Sequence, residues 1–143
     1  MRIYLLDENV LRELRPGGNP RVRAWYQTVS TDSLRISAMT FFEKRRGAER
    51  LRKTNPDRAT ALLAGIDALE AAYGSRIIPI DGPVVAEWAR LLGVKDKNQR
   101  DRALAATARV HGFVLVTRNK ADVAGCDVDV LDPFQAAPNV IRV

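Results

Sequence analysis

The feature that most constrains this chain is the alternation of short, continuous apolar runs with stretches of helical periodicity. The first instance is Ile3-Tyr4-Leu5-Leu6, which stops at the polar triplet Asp7-Glu8-Asn9 before a new apolar pattern starts at Val10. An apolar run of that length, closed by a turn, is the signature of a strand covered on both faces. Residues 34–38, 76–80, 113–117 and 128–131 read the same way, and 113–117 is the clearest because every residue in it is a β-former. Pro79 has no amide to donate, so the third strand either lies at a sheet edge or starts or ends around the proline. Strands separated by helices call for an α/β fold with a mostly parallel central sheet, right-handed crossovers and helices flanking both faces.

The helices announce themselves at their ends. After the loop Pro16-Gly17-Gly18-Asn19-Pro20, the spacing of Val22, Trp25, Tyr26 and Val29 predicts a short amphipathic helix. Thr40 and Glu43 have capping-box spacing at the head of a charged helix reaching about Lys53, and in that reading Glu43 bonds back to an orphan amide. Asn55-Pro56 opens a long helix with Ala59, Leu62, Leu63, Ile66 and Leu69 on one stripe, so the two helices form a hairpin. Asp81 caps the next helix. The helix at 101–112 is small or apolar on nearly every side, and Asp101 shares a face with Leu104, Ala105 and Ala108. A carboxylate pointed inward needs a capping role, a helix N-terminus or a cation. For Asp101 the cap and the metal ligand are equally open. His111, just before Gly112, reads as a favourable cation at the helix end. Beyond Gln135 no regular pattern continues, so a loosely ordered tail is expected.

Composition narrows the class. A chain of 143 residues, 46% hydrophobic, fills one domain with a genuine core and needs no second. The lone cysteine, Cys126, excludes an internal disulfide framework and suits a reducing compartment. No apolar run is long enough to span a bilayer and the start lacks a signal-peptide core, so a cytoplasmic protein without membrane association is expected. The formal charge of +6 favours a polyanionic partner. Lys44, Arg45 and Arg46 follow Glu43 directly, and Arg118 follows the clearest strand. These are the candidate phosphate contacts, the alternative being an ordinary solvated helix.

In a parallel sheet, the carboxyl ends of the strands and the amino ends of the following helices share one edge. Asp7 and Asp122 follow strands, while Glu43 and Asp101 begin helices, so all four converge on one rim. Alone, Asp7 or Asn9 is readily a helix cap. Gathered carboxylates instead repel and demand a cation. With no cysteine cluster and one histidine, the donors are all oxygen, which points to Mg²⁺ or Mn²⁺ rather than zinc.

Four stretches, in order, resemble the successive motifs of PIN-domain ribonucleases, closest to the VapC and FitB-like toxin branch. They are Asp7-Glu8-Asn9, Phe42-Glu43-Lys44-Arg45-Arg46-Gly47, Asp101-Arg102-Ala103-Leu104-Ala105-Ala106-Thr107-Ala108, and Val116-Thr117-Arg118-Asn119 with Asp122. The closing Asp132-Pro133-Phe134 fits as well. The resemblance implies a three-layer PIN-like fold as a single domain over residues 1–135, with a tail at 136–143. It implies a metal-dependent endoribonuclease acting on RNA, the toxin of a type II toxin-antitoxin pair, with a cognate antitoxin and a homodimer as partners. Asp7, Glu43, Asp101 and Asp122 would be the catalytic, metal-binding acids, with Asp7 and Asp101 as direct ligands and Asn9 and Asn119 in support. Lys44, Arg45, Arg46 and Arg118 would contact the RNA. Glu8 stands where the family has Thr or Ser, and Val123 where it has an aromatic. Glu8 motivates an alternative, a catalytically weakened PIN-like RNA-binding regulatory module. A phosphoryl-accepting domain using Asp7 or Asp81 as nucleophile is a third class, but no matching lysine and hydroxyl arrangement accompanies it.

Overall fold

Leu5 and Leu6 are neighbours in sequence and both fully buried, yet they belong to different cores. That is the period-two alternation of a strand with both faces covered. The computed structural model, which describes residues 1–143, places them on β1 (Tyr4–Leu6) in the middle of a six-stranded sheet. β2 (Leu34–Ser37) and β3 (Ile77–Ile78) extend the sheet on one side; β4 (Val114–Val116), β5 (Asp129–Leu131) and β6 (Val140–Arg142) extend it on the other. Every pairing is parallel except that of β6 with β5. β3 is an edge strand and stops at Ile78, immediately before Pro79, which has no amide to continue the ladder.

The helices are α1 (Glu8–Leu11), α2 (Pro20–Tyr26), α3 (Ala38–Leu51), α4 (Pro56–Tyr73), α5 (Gly82–Leu92) and α6 (Gln99–His111). On one face of the sheet, Leu104, Ala105 and Ala108 of α6 pack with Leu5, Leu115 and Val130. On the other, Val10, Val22 and Trp25 pack with Leu6, Val114, Val116 and Leu131, and Tyr4 meets Trp25 edge-to-face at 5.4 Å. The α3–α4 hairpin joins the sheet through Ile36, Phe41, Ala48 and Ile66. These are the three layers of the expected α/β fold.

Three local expectations are corrected. Ser37, not Thr40, caps α3: its hydroxyl accepts from the Met39 amide at 3.0 Å, so the helix starts at Ala38 and Glu43 lies in the second turn without a capping role. α6 starts at Gln99, after Asn98 in the left-handed conformation (φ 58) with no side-chain cap, so Asp101 is the third helical residue and caps nothing. The tail is ordered as well, because β6 finds the free edge of β5, pairing Val130 with Ile141. No helix is long and apolar enough to cross a membrane.

The strand order 3-2-1-4-5-6 reverses direction between β1 and β4. In open α/β sheets a crevice opens outside the carboxyl ends of the strands at such a point. Asp7 and Thr117 are the first residues beyond those two ends.

Candidate active site

Asp7 is pinned where β1 ends, because its amide donates to the carbonyl of Val116 at 2.9 Å. The side chain is 1% exposed, and a carboxylate taken so far from water must be satisfied by donors. It receives four. Oδ1 accepts from the Glu8 amide at 2.7 Å and from Arg100 Nη1 at 2.9 Å. Oδ2 accepts from the Thr117 hydroxyl at 2.7 Å and from Asn9 Nδ2 at 3.4 Å. Asp7 therefore does cap α1, and it also stands at the centre of a buried network. Thr117 links the two strand ends: its hydroxyl oxygen accepts from the Asn119 amide at 3.0 Å and lies 3.4 Å from Asn9 Nδ2.

The other acids face the same place from different elements. Arg100, in the first turn of α6, reaches Asp7 at 2.9 Å, Glu43 at 3.5 Å and Asp101 at 3.5 Å. Burial pushes the Asp101 carboxyl above its ordinary range; the charges of Asp7 and Asp122 push it further, against Arg100 and the Asn119 side chain. Glu43 is raised in the same sense, first by burial and then by Asp7, Glu8 and Asp101, with Arg100 opposing. Burial works against the charge on Arg100, but Asp7, Glu43 and Asp101 together outweigh it, and the guanidinium is held above its ordinary value. Asp122 lies in the short 3-10 turn Lys120–Val123 and is half-buried. The rim thus brings together acids separated by more than a hundred positions in the chain.

An all-oxygen set of carboxylates is the donor chemistry of a hard divalent cation, so the residues present fit Mg²⁺ or Mn²⁺. In this conformation no three of them are drawn tightly enough around one point to hold a metal ion. The positive charge among them is the Arg100 guanidinium.

The basic residues divide. The Lys44 ammonium sits on both oxygens of Glu8, at 3.1 and 3.0 Å, which neutralises the acid that departs from the family pattern. Arg45 turns away to Asp67 at 2.7 Å and Glu70 at 2.9 Å, fastening α3 to α4. Arg46 is exposed, and Arg118 is exposed with its guanidinium 4.7 Å above the Phe134 ring. A cavity of about 280 Å³ beside the acids is lined only by Glu8, Arg12, Glu43, Lys44 and Arg100. A larger groove of about 490 Å³, lined by Trp25 and Pro138 among others, contains none of the acids.

Sequence reasoning missed Arg100, Arg12 and the part played by Thr117. Two signals were available. Arg100 is a cation in the first turn of a helix, where the macrodipole disfavours it, so an acidic neighbour had to be near. Thr117 is the polar end of the most apolar strand.

The PIN domain family pattern matches residues 4–123. The chain is similar to Toxin FitB of Neisseria gonorrhoeae (strain ATCC 700825 / FA 1090), 32% identical over 139 residues, covering 92% of this chain and 99% of that protein. It is similar to the VapC ribonuclease Y4jK of Sinorhizobium fredii (strain NBRC 101917 / NGR234), 28% identical over 142 residues, covering 94% and 100%. Among solved structures it superposes on FitAB bound to the IR36 DNA fragment with a TM-score of 0.80 and 31% identity, covering 94% of this chain and 98% of that one.

Proposed function

We propose, from the premise that this chain belongs to the PIN-domain family, that it is a metal-dependent ribonuclease and the toxin of a toxin-antitoxin pair. The observation that carries the proposal is the buried Asp7 at the switch point of the sheet, with Asp101, Glu43 and Asp122 facing it from three other elements. Relatives named as a toxin and as a VapC ribonuclease support the class of activity.

Asp7 and Asp101 are the residues that would hold Mg²⁺ or Mn²⁺ directly, with Glu43 and Asp122 on its outer side. A bound divalent ion supplies Lewis-acid polarisation of a phosphoryl oxygen and a water acidic enough to attack it. The chain's own contribution is orientation. Thr117, Asn9 and the Glu8 amide fix both oxygens of Asp7, and such supporting bonds decide how well a carboxylate serves a metal. The cations Arg12, Lys44 and Arg100 line the adjoining cavity and are placed to attract a phosphodiester backbone. Arg46 and Arg118 are exposed and would add further phosphate contacts.

An antitoxin and a second copy of the chain belong to the same proposal as its protein partners. The solved FitAB complex supports the first. The alternative of a weakened RNA-binding module rests on Glu8 spoiling the metal geometry; the ion pair that Lys44 makes with Glu8 supports the nuclease reading over it.

The test is cleavage of a mixed RNA pool by the purified protein in Mg²⁺ or Mn²⁺, beside EDTA. The reading predicts cleavage that requires the ion. Well-folded protein that binds RNA equally with and without EDTA and never cleaves it would instead favour the regulatory module.

A further inference from the structure

We propose that Arg100 is a resident counter-cation of the acidic site, which holds the carboxylates when no metal is bound and which a divalent ion must displace. This rests on the metal-dependent reading given above. A carboxylate offers about four lone-pair positions, and all four on Asp7 are engaged. For Asp7 to accept a metal, one donor has to leave. The Glu8 amide belongs to the backbone at the start of α1, and Thr117 is buried at the end of β4. Asn9 Nδ2 is bonded to both Asp7 and Thr117. Arg100 alone sits on a long side chain at the rim, 31% exposed, with the charged cavity beside it to move into.

The position of Arg100 argues the same way. A guanidinium in the first turn of α6 meets the positive end of the helix dipole and is partly desolvated. Only the carboxylates offset those costs, the nearest bond being to Asp7. A divalent ion brings twice the charge to the same oxygens, so the two cations compete for one place. Arg100 therefore sets the affinity for the metal, and it keeps the acids from repelling one another in the metal-free protein.

The experiment is Mn²⁺ binding to the full chain, followed by the electron paramagnetic resonance signal of free Mn²⁺, for wild type, Arg100→Gln, Arg100→Lys and Asp7→Asn. Thermal unfolding without metal accompanies it. The proposal predicts that Arg100→Gln binds Mn²⁺ on the order of tenfold more tightly while its metal-free form melts at a lower temperature than wild type. Arg100→Lys falls between, and Asp7→Asn loses the binding. Equal or weaker Mn²⁺ binding by Arg100→Gln, with Asp7→Asn still defective, would overturn the proposal and leave the metal site standing. If neither wild type nor Arg100→Gln binds Mn²⁺, the metal-dependent reading falls and this inference falls with it.

Discussion

The two ends of α6 carry the same kinds of charged residue in opposite arrangements. At its C-terminal end, Arg109 bonds Glu87 at 2.8 Å and Asp127 at 3.2 Å, and Arg142 adds a bond to Asp127 at 2.8 Å. Arg90 and then Arg109 hold the Glu87 carboxyl below its ordinary range, and Arg142 and Arg109 do the same for Asp127. At the N-terminal end, one arginine is shared by Asp7, Glu43 and Asp101, and the carboxyls of Asp101 and Glu43 are pushed up. Acids that serve the fold are given enough cations; acids gathered without them mark a place kept for something else. The helix dipole adds to the contrast, since Arg109 lies at its negative end and Arg100 at its positive end.

Substitutions at the two ends should therefore separate activity from stability. The largest expected effect is on cleavage: Asp7→Asn should lower it at least about 100-fold, beyond what loss of a supporting residue costs a metal site. Thr117→Val removes a hydrogen bond to Asp7 without touching a charge, and should weaken metal affinity or cleavage by about 10- to 100-fold. Titration with Mn²⁺ would read that loss. At the other end, Arg109→Ala should destabilise the protein by about 1–2 kcal/mol in urea unfolding, because the carbonyls of Cys126 and Asp127 and two carboxylates lose a donor. Its cleavage should equal that of wild type. The smallest effect is electrostatic and depends on pH. A carboxyl with a lowered folded pKa contributes stability above its unfolded value, and loses it as pH falls through the folded one. Glu87→Gln should thus melt slightly below wild type at neutral pH. The gap should close as pH drops below 4.5, the ordinary value for this group. A gap that widened in acid would contradict the assigned pairing.

Much of the fold was legible because burial writes itself into period and run length. Leu5 and Leu6 needed only a covered strand, and Pro79 marks where the edge strand β3 stops. What escaped was decided by partners far away in sequence. β6 is three residues, Val140–Arg142, with no period of its own, and it forms because β5 has a free edge. Thr40 and Glu43 had the spacing of a capping box, but Ser37 reached the free amide first and moved the helix start. At the site, the four acids were legible as a convergence on one rim, since topology alone sends strand ends and helix starts there. The cation among them was not, because Arg100 is 93 residues from Asp7 and only the folded chain sets them 2.9 Å apart. Arg45 shows the converse. It stands in a run of basic residues but is committed to Asp67 and Glu70.

The central claim is that Asp101 is kept half-buried among like charges for the reaction and not for the fold. The most direct test is to measure RNA cleavage with Mn²⁺ and thermal unfolding without metal on the same preparations of wild type and Asp101→Asn. The account predicts that the variant no longer cleaves and that its metal-free form melts no lower than wild type, because a neutral amide removes a burdened charge. A variant that still cleaves, or one that melts well below wild type, would contradict it.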